Sequence, residues 1–514
     1  MCSIVRKGMS VALMLALIAL TGAESTSVLI KGGTVVNHDH QLMADVLVED
    51  GLITAIGPNL HCPSGCQVVD ATGSLVMPGG IDPHTHMDMP FMGKTSCDDF
   101  FSGQAAALAG GTTMHIDFAL PVEHDLMAGW ETWQVKAEKS CMDYSFHMAV
   151  TFWNKKTHAD MATLTALGIN SFKFFMAYKG ALMVNDEQLL EGLARCKELG
   201  VLPMVHAENG EAVAYGQKHT MEVVKERGPY GHALSRPAML EGEATGRAIR
   251  LAAFIGVPLY VVHVMSEDAM SEIAAARKKG QLVIGEAVAS GITLEESVMK
   301  HKDFSLAAQF VMSPPIRAEH HRLAVRQALS GDVLQVLATD HCSFNTTQKA
   351  AGRQDFRLIP NGVHGVEERM HVAWEELVNS GLMNPQDYVR VTSTAAAQLF
   401  NMYPRKGRLA VGSDADIIVL DPSKDHVISA ATHHHNNDLN IYEGKLIRGK
   451  VEVTISRGRI VWQHGKLSVT PGTGRFLPLD AFGPVFGRTK TTRVHTGLHK
   501  FPQTDAAVEA HAEL

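Results

Sequence analysis

Leu75-Val76-Met77-Pro78-Gly79-Gly80-Ile81-Asp82-Pro83-His84-Thr85-His86 is an apolar run that breaks at Pro-Gly-Gly and ends on two imidazoles at positions i and i+2. In extended backbone, i and i+2 point to the same side, so both rings can reach one metal ion. A lone His-x-His is a weak signal. Its weight comes from similar placements further along. Lys173 lies in Ser171-Phe172-Lys173-Phe174-Phe175, His206 in Met204-Val205-His206-Ala207-Glu208, His263 in Val261-Val262-His263-Val264, and Asp340 in Leu337-Ala338-Thr339-Asp340-His341. Each polar residue ends or interrupts a short apolar run, and helix-like stretches separate the runs. Strand ends that converge on one site produce this pattern.

The segments between and around them set the fold class. Gly111 to Asp117, Leu202 to His206 and Leu259 to Val264 read as strands, and Glu243 to Ile255 reads as a helix. A further helix is expected from Asn185, as cap, to Leu199, with Gly200 as its stop. Repeated β-α units from about 81 to 406 predict a parallel (β/α)8 TIM-like barrel, whose chemistry sits at the C-terminal strand ends. Residues 27–80 read differently, as short strands and turns with a hairpin signal at Asp50-Gly51. The same style returns at Asp416–Asp421 and Val451–Ser456, within 407–470. One small β-sandwich domain assembled from both chain ends is therefore expected beside the barrel. Residues 471–514 read as an extended C-terminal tail.

The 514 residues are 46% hydrophobic, ample for a large core, and the formal net charge of −8 is spread along the chain. No basic stripe is present, so nucleic acid is not an expected partner. At the N-terminus, Arg6 and Lys7 precede the apolar run Met9–Leu20 and then Thr21-Gly22-Ala23, the pattern of a signal peptide over residues 1–26. That run is too short for a comfortable membrane span, so no stable membrane anchor is expected. The reading implies a secretory or endomembrane location, or the cytoplasm if the leader does not function. The seven cysteines show no framework spacing. Cys62 and Cys66 read as two loop thiols, with a local disulfide as the alternative in a secreted chain.

Several motifs together carry a resemblance. Gly80-Ile81-Asp82-Pro83-His84-Thr85-His86, Ser171-Phe172-Lys173 with Ala177-Tyr178-Lys179, Val205–Gly210, Val262–Ser266, Met312-Ser313-Pro314-Pro315-Ile316-Arg317, Thr339–Asn345 and Ile359-Pro360-Asn361-Gly362-Val363 resemble the dihydropyrimidinase/hydantoinase family of the amidohydrolase superfamily. The match runs in order over roughly residues 28 to 470. The leader, Gly110–Phe118 and Tyr403–Gly407 look closest to the plant-type members.

The resemblance implies two Zn2+ per subunit, one held by His84 and His86 and the other by His206 and His263. Lys173 would bridge them as a carbamate formed with CO2, and Asp340 would bind the first zinc. Cyclic amides resist water at neutral pH, and two divalent ions sharing one hydroxide can both attack and polarise the carbonyl. The phenylalanines around Lys173 favour the neutral amine that captures CO2. Asp340 would serve as general base and then general acid. Tyr178 would stabilise the oxyanion. Ser313 and Asn361 match positions whose backbone groups hold the ring. The expected substrate is a cyclic ureide and the expected assembly a homotetramer.

Other residues are set aside. His433-His434-His435 reads as a solvated loop. His115 and Asp117 read as barrel interior or as supports of the site, and His341 as core or a support. A related enzyme, dihydroorotase, uses an arginine two residues after its second motif histidine to hold a carboxylate. Asp88 stands there in this chain, which favours a neutral ring. The expected reaction is opening of 5,6-dihydrouracil and dihydrothymine to N-carbamoyl-β-alanine and N-carbamoyl-β-aminoisobutyrate, with 5-substituted hydantoins as the alternative. Met89–Asp99, with Phe91 and Met92, is a candidate pocket wall. A metal-free scaffold relative is the other class considered, but such relatives typically lack the bridging lysine and several histidines, and all six ligand positions are filled here.

Overall fold

The computed structural model describes residues 27–487. Two sheets organise it. The first collects β1 (Ser27–Val36), β2 (Gln41–Glu49), β3 (Leu52–Gly57), β4 (Gln67–Asp70) and β5 (Leu75–Pro78) from the start of the chain. From its other end come strands that pair with them through β5. The barrel follows directly, with β6 (Gly80–Thr85) two residues after β5. A short ribbon, β7 (Pro90–Phe91) with β8 (Lys94–Thr95), lies in the loop that leaves it. The barrel continues through β9 (Thr112–Ala119), β10 (Asp143–Val150), β11 (Ser171–Phe175), β12 (Leu202–His206), β13 (Leu259–Val261), β14 (Val283–Val288) and β15 (Val336–Ala338). The chain then returns to the first sheet as β16 (Ile417–Val427), β17 (Leu446–Ser456), β18 (Arg459–Gln463) and β19 (Lys466–Leu467).

In the nine-stranded sheet the order is β19-β18-β17-β16-β5-β1-β2-β3, with β4 on β1. The β5–β16 pairing joins the two chain ends, Met77 opposite Ile418 and Val76 opposite Val419. Its tight hairpins follow from sequence. Asp50-Gly51 and Arg457-Gly458 each place two successive residues at positive φ, at 51° and 85° and at 46° and 76°. That is the mirror-image turn whose twist suits paired strands.

The barrel sheet is parallel throughout, in the order β15-β14-β13-β12-β11-β10-β9-β6. A Thr85–His341 bridge and the His86 N–H donating to the His341 carbonyl at 2.8 Å bring its first and last members together. Strands covered on both faces need apolar runs rather than alternation, and β6, β9, β10, β11, β12 and β14 are buried at every position. The helix Asp186–Leu199 forms as its sequence dictates. Asn185 caps it in a reciprocal box with Gln188, and Gly200, at φ 66°, ends it.

Three sequence expectations change here. The strand expected over Leu259–Val264 stops at Val261, because the backbone turns to φ 38° at His263. Cys62 and Cys66 are joined in a disulfide rather than standing as free thiols. Four residues of separation bring the two side chains together without help from distant structure. The run after β19, expected as an extended tail, packs as far as residue 487 along the starts of the barrel strands. Leu477 N–H donates to Tyr144 O, Leu479 N–H to Gly168 O and Phe482 N–H to Gly200 O. Leu477 and Leu479 join the interior cluster of Met114, Ile116, Met204 and Tyr260. The remaining tail residues and the 1–26 leader lie outside the described residues. A buried cation, Lys406, meets Asp143 of β10 and Asp416 at the foot of β16 at 2.8 and 2.5 Å, tying barrel to sheet.

Candidate active site

Five barrel strands deliver the six polar residues to one end. His84 lies within β6 and His86 just past it, Lys173 sits in β11, and His206 ends β12. His263 and Asp340 come two residues after β13 and β15. His263, Asp340 and Tyr178 all have positive φ, at 38°, 54° and 66°. Non-glycine residues seldom adopt that conformation, and those that do cluster where surrounding structure holds a functional side chain in place. All six side chains are buried.

The contacts divide into two groups. Asp340 Oδ1 lies 3.0 Å from His84 Nε2 and 3.1 Å from His86 Nε2. His206 Nδ1 lies 2.9 Å from His263 Nε2. Nitrogen and oxygen ligands at about 2.0–2.2 Å from one tetrahedral zinc stand roughly 3.3 Å apart, so each group has nearly the span that one ion needs. The tautomers point the same way. His84 Nδ1 is 2.6 Å from Glu286 Oε1, and a carboxylate accepts, so that nitrogen carries the hydrogen. The Nε2 lone pair is then left against another carboxylate, without a hydrogen-bond partner. Two acceptors 3.0 Å apart in a buried site need a positive charge between them. Burial opposes an imidazolium at His84, but Glu286 and Asp340 still hold its pKa up to about 9. The donor set therefore fits a metal. On the other side, Glu208 Oε2 takes the His206 Nε2 hydrogen at 2.8 Å and that of Arg236 Nη1 at 2.9 Å, leaving Nδ1 of His206 as the ligating atom.

Lys173 is 1% exposed and forms no ion pair with any described carboxylate. Its Nζ sits 4.5 Å from the Phe118 ring centroid and 5.1 Å from that of Phe175. Burial lowers its pKa to about 8, which enriches the neutral amine.

These residues line a cleft together with Met89, Phe91, Leu120, Tyr178, Ser313 and Asn361. Tyr178 packs against Phe91 and His206, and burial pushes its hydroxyl up to about 12, so it stays a hydrogen-bond donor. Met92 and Asp88 are not in the lining. The carboxylate read from the sequence as favouring a neutral ring is therefore not part of this lining. Within the lining, Lys173 is the lone Lys or Arg.

The supports of the site were mostly invisible in sequence. Glu286, Arg236 and Phe118 carried no assigned role, although an acid inside the apolar run Val283–Val288 was a usable signal. Asp117 and His115 prove to be supports. Asp117 accepts from Thr85 Oγ1 and Met87 N at 2.8 Å each, and His115 Nδ1 lies 2.8 Å from the same hydroxyl. His341, expected as core or a support, is buried and donates from Nε2 to Asp98 at 3.0 Å. His433–His435 is not a solvated loop. His435 is buried on Glu368 and His434 pairs with Glu367, acids of the distant segment 367–368, while His433 bonds the nearby Asn437 O. His364, Glu368 and His435 are close enough to suggest a second metal site. However, His364 Nε2 accepts from Ile441 N–H and His435 Nδ1 from Asn437 N–H, so the nitrogens left over carry hydrogens and cannot ligate.

The fold and site define the class. Residues 75–461 match the model of the amidohydrolase family, and the chain belongs to that family. Within it the chain falls in the dihydropyrimidinase/hydantoinase group. It is 59% identical to a dihydropyrimidinase of Arabidopsis thaliana over 466 residues, covering 90% of this chain and 88% of the relative. The crystal structure of a dihydropyrimidinase from Brevibacillus agri superposes with a TM-score of 0.87 at 42% identity, covering 89% of this chain and all of that one. A D-hydantoinase from a Bacillus species gives 0.85 at 42%, covering 88% and 99%. The family is metal-dependent, and the cluster described above is a histidine-rich metal site.

One expectation is corrected by these matches. The secretory or endomembrane location read from the N-terminal pattern does not stand beside a match to dihydropyrimidinases over nine-tenths of the chain. Two cations before a dozen apolar residues is a compositional cue that a short stretch can meet without acting as an address. Residues 1–26 lie outside the described residues, and no described helix is long and apolar enough to cross a membrane.

Proposed function

We infer that the chain hydrolyses the cyclic amide bond of 5,6-dihydrouracil and dihydrothymine, giving N-carbamoyl-β-alanine and N-carbamoyl-β-aminoisobutyrate. The observation that carries this is the filled set His84, His86, Lys173, His206, His263 and Asp340 at one barrel mouth, in a chain so close to dihydropyrimidinases. His84, His86 and Asp340 would hold one Zn2+ and His206 and His263 the other, with the N6-carboxylated Lys173 shared between them. When bound, the pair supplies a hydroxide at neutral pH and polarises the ring carbonyl.

The chain's own groups do the rest. Asp340 lines the cleft, where it can take the proton that remains on the attacking hydroxide oxygen and hand it to the departing ring nitrogen. The Tyr178 hydroxyl donates to the oxygen that gains charge as the carbonyl carbon becomes tetrahedral. Ser313 and Asn361, on two separate segments of the lining, would hold the ring through backbone groups. Phe91, Leu120 and Leu182 give the cleft an apolar flank that suits an uncharged ring and excludes water.

Hydantoins remain the second reading, because the structural relatives include a D-hydantoinase. Turnover of dihydrouracil, dihydrothymine and hydantoin by the zinc-loaded protein tests the ranking. A higher kcat/KM for both six-membered rings is expected, and a preference for hydantoin by tenfold or so would reverse it. A homotetramer is proposed on the resemblance and on the apolar side chains Tyr215, Val223, Val224, Met239 and Phe254, which stand exposed on one protomer. Light scattering reads its mass directly.

A further inference from the structure

Lys349 closes the short helix Thr346–Lys349 and is 1% exposed, yet no described carboxylate lies within ion-pair distance of it. Its Nζ instead donates to three main-chain carbonyls: Gly362 at 2.7 Å, Val311 at 3.1 Å and Gln309 at 3.4 Å. An ammonium has three donors, and these acceptors use all of them. Burying a lysine this way is costly compared with an apolar side chain of the same length, so packing alone does not account for the residue.

The carbonyls belong to two separate segments. Gln309 and Val311 lead into Met312 and Ser313, while Gly362 follows Asn361. Ser313, Asn361 and Gly362 all line the cleft. Lys349 is thus a rivet beneath the two loops that carry the ring-gripping residues, and a Gly362 N–H to Val311 O bond at 2.9 Å completes the tie. The junction has little freedom elsewhere. Gly362 has φ 145°, and a Cβ there would lie 2.1 Å from the Cys342 carbonyl, which follows Asp340 by two residues. The Cys342 N–H also donates to Val363 O at 2.8 Å. The spacing of the two loops is therefore fixed relative to the strand end that presents Asp340.

We propose that Lys349 is a positioning residue for the substrate, its buried ammonium setting the distance between the Ser313 and Asn361 segments so that both meet one ring. This rests on the hydrolase reading above. Lys349 touches neither ligand nor substrate, so its removal acts on binding far more than on the metals. The test compares Lys349→Met, which keeps length and volume but has no donor, with Lys349→Gln, which keeps two N–H donors. Dihydrouracil kinetics, metal content and Tm are measured for each.

Lys349→Met is expected to raise KM by about tenfold or more with kcat within about threefold, while both metals stay bound. Lys349→Gln is expected to recover part of the KM, and it carries the test alone if the Met variant does not fold. A wild-type KM in either folded variant, or a fall in kcat that tracks metal loss, would overturn the inference and leave the hydrolase reading untouched. A wild-type chain inert toward dihydrouracil and hydantoin would refute the hydrolase reading itself, and that measurement comes first.

Discussion

Removing the Glu286 carboxylate tests how the site prepares its ligands. Glu286 has no solvent exposure, and its two oxygens serve three donors. Oε1 accepts from His84 Nδ1 at 2.6 Å and from the His263 N–H at 2.9 Å, and Oε2 accepts from the Tyr260 hydroxyl at 2.7 Å. One side chain therefore sets the tautomer of a ligand in the first group and holds the positive-φ backbone of a ligand in the second. In Glu286→Ala all three donors are left buried and unpaired, at about 1–3 kcal/mol each before relaxation. His84 is then free to turn its hydrogen toward the metal, and loss of such a partner typically lowers metal affinity by about 10–100-fold. Glu286→Gln separates geometry from charge. Its carbonyl can still accept from His84 and His263, while its NH2 can donate to Tyr260. The Gln variant should keep a Tm near wild type and lose no more than about tenfold in affinity. Competition with a chromophoric chelator, read alongside Tm, measures both. An Ala variant that held both metals at wild-type affinity would refute the reasoning.

Three other outcomes follow from the same geometry. Lys173→Ala removes the shared ligand, so metal content should fall below two per chain and turnover should vanish; a variant with two metals and normal rate would sink the carbamate. Tyr178→Phe should lower kcat by about 10²–10³-fold with metal content unchanged, read by steady-state kinetics on dihydrouracil; a rate within twofold of wild type would remove the tyrosine from the mechanism. Burial lowers His115, His232 and His371 to about 3 from 6.5. Between those values the unfolded chain binds the extra protons, so the stability these residues contribute is present above about pH 6.5 and falls as pH drops toward 3. The slope is at most about 1.4 kcal/mol per pH unit for each, and urea midpoints from pH 7 to 5 that stayed flat would contradict it.

The sequence was most informative where one residue had to do two things. His84, Lys173 and His206 each interrupt or end an apolar strand, and a parallel barrel needs such runs while its chemistry needs polar residues at their ends. Asp50-Gly51 and Asn185 with Gly200 were legible because turn and cap chemistry is local. What stayed hidden depends on distant partners. His433–His435 looked solvated because Glu367 and Glu368, which bury it, lie more than sixty residues earlier. Arg236 and Lys349 carried no local mark, since a buried cation looks like a surface one until its acceptors are known. Asp88 was over-read: a position two residues past the motif did not place its side chain in the cleft. The short β13 could not be foreseen from Val261-Val262, because the backbone leaves the strand only to aim His263.

The most direct test of the account is hydrolysis of 5,6-dihydrouracil by the purified chain, reconstituted with zinc and bicarbonate, with bound metal counted in the same sample. The account predicts stoichiometric appearance of N-carbamoyl-β-alanine, two metals per chain, and loss of the reaction when a chelator strips them. A folded protein holding both metals but leaving dihydrouracil intact would contradict the substrate, and one that binds no metal would contradict the site.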